Sequence, residues 1–352
     1  MSFQPDYRHF ADVMKNIRPA RLPLYEHTIN QPVYEEFLGV KFGDLLNGDD
    51  ADKREYFRYF CKFFKDNTYD VVSYEVCICS LLPQSGAIMG GHPGPIQCRE
   101  DFEAYPWDEV PGIYWKFADP VFSALRDAMP EGMKAVGGVG NGVYEISEDL
   151  VGLEYLPLIQ VDDPELYVDI FNKIGDLMST IWAKFLRDYS DIYVTCRFGD
   201  DLGFRSSLLT NPATVRENII PQYARIINQV HAAGKPFLWH SCGCIFEIME
   251  DVIALGIDGK HSNEDAISPF TDWLDKYNDR IAIVGGFDMD FMCRATADEV
   301  FDTVVEQGTR YRNMARGYAL GTGNSIASYI PMENYLALVR GGQEIRRREG
   351  NG

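Results

Sequence analysis

The chain has 352 residues, of which 53 are acidic and 33 are basic, so its formal net charge is −20 at neutral pH. Such a balance excludes general affinity for nucleic acid or for anionic lipid, because both depend on clustered Lys and Arg. Hydrophobic residues make up 46% of the chain, enough to bury a substantial core, so the composition predicts a globular protein.

The first segment, 1–20, predicts an added N-terminal helical extension. It has neither the basic region nor the apolar run of a secretion signal. No apolar run in the chain approaches the ~20 residues that a membrane helix needs. Eight cysteines without a signal are typical of reduced thiols, so we expect a cytoplasmic protein.

Short β-rich segments alternate with helical segments along the rest of the chain. The predicted strands lie near residues 22–26, 70–79, 134–139, 192–196, 236–240, 257–261, 281–287 and 317–321. Helix start signals stand between them, such as Asp163-Pro164 and the capping-box pair Thr296 and Glu299. This alternation predicts an α/β fold, a single (β/α)8 TIM barrel over 1–352, with an open sheet and a small added domain as the alternative.

One segment, 83–112, interrupts the alternation and is rich in Gly, Pro and polar residues. We expect a long loop over the barrel mouth there, with the role of a lid. His92 within it is interpreted as a solvated loop residue rather than a ligand.

In a (β/α)8 barrel the functional side chains lie at the C-terminal ends of the strands. Three carboxylates at such positions, Asp200, Asp201 and Glu75, are candidate catalytic groups, because paired carboxylates can act as general acid or base or bind a metal. The alternative for Asp200 or Asp201 is that one of them caps the following turn. The alternative for Glu75 is a role in core packing. The candidate substrate-binding residues at strand ends are Glu26, His27, Asn141, Asp288 and Thr322.

The most informative segment is Phe237–Gly243, at the end of the fifth predicted strand. Residues two apart on a strand point the same way, so His240 and Cys242 face one side. Imidazole and thiolate together suit Zn²⁺, which requires further ligands from elsewhere. The alternative is a core histidine hydrogen-bonded near a buried cysteine.

Several motifs in the second half of the chain now combine into a resemblance. They are His240-Ser241-Cys242-Gly243, Gly256-Ile257-Asp258, the run 279–288, Gly321-Thr322-Gly323-Asn324 and Pro331-Met332-Glu333-Asn334. Together they resemble the uroporphyrinogen decarboxylase superfamily, from about residue 110 to the end and most strongly from Asp200 onward. The resemblance implies a (β/α)8 barrel, in agreement with the strand pattern.

The branch of true decarboxylases carries an N-terminal R-Q-A-G-R-Y segment whose arginines grip the carboxylates of a porphyrinogen. The corresponding segment here, Arg21–His27, has acidic and aromatic groups instead. In a chain of net charge −20, loss of those arginines argues against an octacarboxylate substrate. A decarboxylase-like activity stays the alternative.

The closer resemblance is to the corrinoid-dependent methyltransferases. Their zinc-dependent members carry H-x-C on strand five, as at His240 and Cys242, and a further Cys after strand eight, where this chain has Thr322. The resemblance implies Zn²⁺ with an incomplete ligand set. The candidates for the third ligand, by strand-end position, are His261, Glu26, Asp200 and Asp201. Cys244 is a further candidate, but it lies where the next helix should begin.

The segment Asp200–Phe204 resembles methyltransferases that demethylate methoxylated or methylated compounds. The resemblance therefore implies methyl transfer between a small methoxy, methylamine or methylthio substrate and a corrinoid on a separate partner protein. No corrinoid-binding domain is evident in this sequence. A non-catalytic barrel is the competing class, and a homodimer is an open alternative to a monomer.

Overall fold

The computed structural model describes residues 3–350. One parallel sheet runs through it, with every strand paired to its neighbours in sequence order. Its strands are β1 Val71–Cys77, β2 Lys134–Gly140, β3 Tyr193–Gly199, β4 Phe237–His240, β5 Gly259–His261, β6 Ala282–Phe287 and β7 Tyr318–Thr322. The sheet curls into a TIM-like barrel.

Helices connect the strands and form the outer layer. They are α1 Arg8–Met14, α2 Gln31–Leu38, α3 Asp50–Asp66, α4 Arg99–Ala104, α5 Val110–Ala128, α6 Val143–Val151, α7 Leu156–Asp162, α8 Pro164–Asp188, α9 Pro212–Thr214, α10 Ile220–Ala232, α11 Met249–Ala254, α12 Phe270–Tyr277, α13 Met289–Arg294, α14 Ala297–Met314 and α15 Met332–Arg348. The start signals are confirmed, because Asp163 caps α8 and the Thr296–Glu299 capping box opens α14. Within residues 3–350, no helix combines the length and apolar content needed to cross a membrane.

The first predicted strand, 22–26, is extended but not a regular strand. It forms one parallel bridge to β7, in which Tyr25 donates its N–H to the Leu320 carbonyl and Leu320 donates to the Pro23 carbonyl. Pro23 has no N–H with which to continue a ladder. Towards β1, the Ser73 hydroxyl donates to the His27 carbonyl in place of a backbone ladder.

Helix α1 belongs to the core of the barrel. Its apolar residues Phe10, Val13 and Met14 pack in one cluster with inward-facing strand residues such as Val71 and Val194. Both strand residues lie at the start of their strands, so α1 covers the end of the barrel opposite the strand C-termini. The predicted extension thus contributes a helix to the barrel core.

The segment 83–112 contains a 3-10 turn at Ala87–Met89, all of α4 and the first residues of α5. Its backbone is tied to α6, since Gly94 and Ile96 donate N–H groups to carbonyls at the end of that helix. The segment therefore carries helical structure where a loop was predicted. Its role as a lid stays a prediction.

Candidate active site at the barrel mouth

A cavity of about 200 Å³ lies at the C-terminal end of the barrel. Its lining residues are His27, Glu75, Asn141, Glu145, Gly199, Asp201, His240, Asn324 and Ser325. Several of them are strand-end residues predicted from the sequence, as expected for a barrel in which the strand C-termini meet at one end.

Three potential metal ligands converge beside this cavity. The ligand atoms of Asp201, His240 and Cys242 all lie within 4.8 Å of one another. His240 Nε2 is 3.4 Å from Cys242 Sγ and 3.8 Å from Asp201 Oδ1. A carboxylate, an imidazole and a thiol form a ligand set that suits Zn²⁺ and leaves further positions for water or substrate. Asp201 is thus the third potential ligand beside the His240–Cys242 pair.

Hydrogen bonds determine which nitrogen of His240 faces this cluster. His261 Nε2 lies 2.9 Å from the Thr322 carbonyl, which can only accept, so this nitrogen carries the proton. His261 Nδ1 is then an acceptor and receives the Nδ1–H of His240 at 2.8 Å. His240 Nε2 therefore carries a free lone pair towards Cys242 and Asp201, the tautomer that a metal ligand requires.

A second cluster shares His240, because His27, His240 and His261 also bring ligand atoms within 4.8 Å. The His27 ring stacks on the His240 ring at a centroid distance of 3.7 Å. Burial lowers the pKa of both imidazoles well below the usual range and that of His261 to about 3. A metal held by this trio would break the His240–His261 hydrogen bond, so the geometry favours the first cluster and gives His261 a supporting position.

The sulfur of Cys242 receives two side-chain hydrogen bonds. Asn324 Nδ2 lies 3.3 Å and Ser262 Oγ 3.5 Å from it. Burial raises the pKa of the Cys242 thiol, so without a nearby cation it stays protonated. A bound metal ion favours the thiolate, and two donors stabilise a thiolate further.

The adjacent carboxylates Asp200 and Asp201 have different surroundings. Asp200 is fully buried and accepts hydrogen bonds from the backbone of Tyr144 and Glu145 and from the Tyr223 hydroxyl. Burial raises its pKa to about 7. It does not line the cavity, whereas the Asp201 side chain is 44% exposed and does. The predicted pair is therefore split into a positioning residue and a site residue.

Glu75 faces the cavity from β1 and is fixed by Arg197 of β3. Arg197 Nη2 and Nε lie 2.6 Å and 3.1 Å from Glu75 Oε2. The guanidinium is fully buried, and its Nη1 donates to the Tyr25 hydroxyl, the His27 carbonyl and the Ser73 hydroxyl. Arg197 was not among the predicted residues, although an Arg inside an otherwise apolar strand is a readable signal.

Glu145, in the first turn of α6, is the second residue missing from the predictions. Its Oε2 accepts from Asn141 Nδ2 at 2.7 Å and its Oε1 from the Asp201 backbone at 3.3 Å. Asn141 adopts a left-handed φ of 69°, which Asn tolerates, and its Oδ1 accepts from the Cys79 backbone. Burial and the neighbouring Asp200 raise the pKa of Glu145.

Three predicted substrate-binding residues lie outside the cavity lining. Glu26 and Thr322 are buried and bond to each other, with Thr322 Oγ1 donating to Glu26 Oε2 at 2.5 Å. Asp288 caps α13 and accepts the backbone N–H of Asp265. It lines a wider outer groove of about 610 Å³, which shares Asn324 and Ser325 with the inner cavity.

Burial raises the pKa of Glu26 to about 8, so the folded protein holds a proton that the unfolded chain releases near its ordinary pKa of 4.5. The stability from this group is complete below the unfolded pKa and is lost as the pH rises through 8. We expect the free energy of unfolding of Glu26→Gln to fall less with rising pH than that of the wild type. At about pH 9 the variant should be more stable by a few kcal/mol, since each unit of pKa difference corresponds to about 1.4 kcal/mol. Urea unfolding at several pH values measures the free energy of unfolding of both proteins. Exposed Glu36→Gln is the control, and equal slopes in wild type and Glu26→Gln would contradict the prediction.

Comparison with known proteins supports the barrel. No protein-family model and no curated protein sequence matches the chain. A methyltransferase from Methanosarcina mazei matches with a TM-score of 0.72 at 16% identity, over 97% of this chain and 99% of the other. A GH5-4 broad-specificity endoglucanase from an uncultured bacterium matches with a TM-score of 0.50 at 10% identity, over 97% of each chain. At these identities the likeness shows the fold alone.

Proposed function

We propose that this chain is a zinc-dependent methyltransferase that moves a methyl group between a small methoxy, methylamine or methylthio substrate and a corrinoid on a separate protein. The observation that carries the proposal is the convergence of His240 Nε2, Cys242 Sγ and Asp201 Oδ1, while His240 Nδ1 is hydrogen-bonded to His261 on the other side of the ring. The sequence resemblance and the fold of the Methanosarcina mazei methyltransferase support it.

In this proposal Asp201, His240 and Cys242 hold Zn²⁺. When bound, the ion supplies a Lewis acid that polarises the heteroatom of the methyl donor. Asp201 takes over the part of the Cys that the resembling family carries where this chain has Thr322, because Thr322 is turned to Glu26. His261 orients His240, and the amide of Asn324 and hydroxyl of Ser262 stabilise the Cys242 sulfur.

The remaining residues position the substrate. Glu75 and Asn141 are held by Arg197 and Glu145, so the cavity wall is rigid before a substrate arrives. Transfer would break the bond between methyl carbon and heteroatom and leave the bonding pair on the heteroatom, whose charge a Zn²⁺ held by Asp201, His240 and Cys242 would stabilise. The electron pair of the new bond to the methyl carbon would come from the reduced corrinoid of the partner protein. The outer groove beside Asn324 and Ser325 gives the corrinoid protein an approach to the methyl group.

The decarboxylase alternative finds less support in the cavity. None of its described lining residues is Lys or Arg. The nearby Arg197 already donates its hydrogen bonds to Glu75, Tyr25, Ser73 and His27. A polycarboxylate porphyrinogen would meet carboxylates without cations to pair with them.

Two measurements on the purified protein test the proposal. Metal analysis should find about one Zn²⁺ per chain, and incubation with cob(I)alamin and a panel of methyl donors should give methylcobalamin, detected by its absorbance spectrum. Carbon dioxide release from a porphyrinogen, or the absence of stoichiometric metal in active protein, would contradict it.

A further inference from the structure

The wall of the inner cavity is rich in hydrogen-bond acceptors. Three carboxylates line it, Glu75, Glu145 and Asp201. Glu75 Oε1 accepts a long hydrogen bond of 3.9 Å from the Cys77 thiol, so this oxygen has capacity for a better donor. Even with Asp201 committed to a metal ion, two carboxylates of the wall remain for a substrate.

Three side-chain donors of the same wall, on Asn141, Asn324 and His240, are already in use. Asn141 Nδ2 donates to Glu145, and Asn324 Nδ2 donates to Cys242. The Nδ1–H of His240 is bonded to His261. The described lining residues include neither Lys nor Arg, and the buried guanidinium of Arg197 is saturated by Glu75 and its other partners.

The outer groove, through which a substrate reaches the cavity, is also mainly acidic. The outer groove is lined by Glu264, Asp288 and Asp290 against the single cation Arg205. An anion would therefore meet like charge in the groove, and at the cavity wall it would meet carboxyl acceptors rather than cations. Two exposed aromatic rings, Phe204 and Tyr329, lie in this groove rather than in the cavity.

The cavity is also small. Its volume of about 200 Å³ corresponds to about seven waters at about 30 Å³ each. Apart from Gly199, each described lining residue carries a polar side chain, and the rings among these residues are the imidazoles of His27 and His240. A benzene ring would find no apolar surface there and would desolvate the carboxylates without replacing their hydrogen bonds.

We infer that the methyl donor is a small molecule whose remainder donates hydrogen bonds, a methyl ether or thioether with a hydroxyl or ammonium head group, and that carboxylate-bearing donors are excluded. This inference rests on the proposed function. Glu75 and Glu145 would accept the hydrogen bonds of the head group, which places the methyl-bearing heteroatom towards Asp201, His240 and Cys242. A carboxylate head group has no hydrogen to donate to these acceptors, so they would be left without partners when such a compound binds. The cavity therefore discriminates against carboxylate-bearing methyl donors.

A matched series of three compounds tests the inference. 2-Methoxyethylamine, a cation at neutral pH, 2-methoxyethanol and methoxyacetate differ in head group but hardly in size. Calorimetry on the protein as isolated should give dissociation constants at least about tenfold lower for the amine and the alcohol than for methoxyacetate. The same compounds, incubated with cob(I)alamin, report methyl transfer, and the amine-to-alcohol ratio distinguishes recognition of charge from recognition of hydrogen-bond donors.

Variants on α6 connect the preference to the wall. Glu145→Gln replaces one acceptor oxygen of the cavity wall by an amide donor, so the ratio of the dissociation constants of methoxyacetate and 2-methoxyethylamine should fall at least about threefold. The matched control is Glu148→Gln, because Glu148 is a buried residue on the same helix that does not line the cavity. This variant should leave the ratio of the dissociation constants of methoxyacetate and 2-methoxyethylamine unchanged. Should Glu145→Gln fail to fold, the wild-type series decides alone.

The outcomes separate the two proposals. Selective binding of the amine and the alcohol without any methyl transfer would contradict the proposed function and leave the head-group inference standing. Methyl transfer from methoxyacetate with equal or greater efficiency would overturn the inference and keep the methyltransferase. Binding of none of the three compounds would also overturn the inference.

Discussion

Cys242→Ala is expected to remove the metal and to lower methyl transfer by more than about 100-fold. Loss of an outer-shell partner of a metal ligand costs 10–100-fold in affinity or activity, and loss of a ligand itself exceeds that range. The remaining pair, Asp201 and His240, leaves a site with two protein ligands, one short of the three that catalytic zinc sites use. Metal content of the purified variant and its rate with cob(I)alamin give the two readouts.

Cys244→Ala is the matched control, since it removes a thiol only two residues away. The Cys244 backbone donates to the Phe204 carbonyl, and its sulfur does not belong to either ligand cluster of the described residues. This variant should keep its metal and its activity within about twofold, since substitutions away from such features usually stay within about ±0.5 kcal/mol. Full metal content in Cys242→Ala would refute the assignment of the ligand set.

Much of the barrel could be predicted from the sequence because its signals are local. The predicted strand 134–139 corresponds to β2, and Asp163 starts α8 as its capping pattern indicates. The segment 22–26 follows the same β-rich composition but has Pro23, so its pairing with β7 reduces to one bridge. Whether a strand pairs on both sides depends on its neighbours, which local composition does not contain.

The candidate site was predictable where strand ends supply it. Cys242 and Asp201 lie just after strand ends, and both join the cluster with His240. The position of His261 relative to His240 depends on the register between β4 and β5, which the sequence does not reveal. In that register His240 lies directly opposite His261, and the two Nδ1 atoms are 2.8 Å apart. Its strand-end position predicted His261 as a candidate ligand, whereas the register places it as a hydrogen-bond partner of His240.

The two missed residues lie off the strand ends. Glu145 reaches the cavity from a helix turn, which the strand-end rule does not examine. Arg197 lies inside β3, and its partners Tyr25, Ser73 and Glu75 are more than a hundred positions away in the chain. Such a network arises only when the barrel closes, so no spacing in the sequence indicates it.

Arg197→Met is expected to destabilise the folded protein by about 3–5 kcal/mol, the usual cost of breaking a buried ion pair from one side. The guanidinium is fully buried and the Glu75 carboxylate is only 14% exposed, so the substitution leaves an uncompensated charge in the barrel. It also removes the donor that the Tyr25 hydroxyl and the His27 carbonyl share. Urea unfolding measures the change in the free energy of unfolding.

Two further variants separate the buried charge from general damage. In Arg197→Met combined with Glu75→Gln, the unpaired carboxylate is gone, so the double variant should recover part of the stability and give a coupling energy of about 0.5–3 kcal/mol. The exposed pair Arg280–Glu250 supplies the control, because Arg280→Met should cost at most about 1 kcal/mol. Equal costs for Arg197→Met and Arg280→Met would contradict the role of Arg197. Because the double variant lacks the Glu75 carboxylate of the cavity wall, it should also bind 2-methoxyethylamine more weakly than the wild type even where its stability recovers.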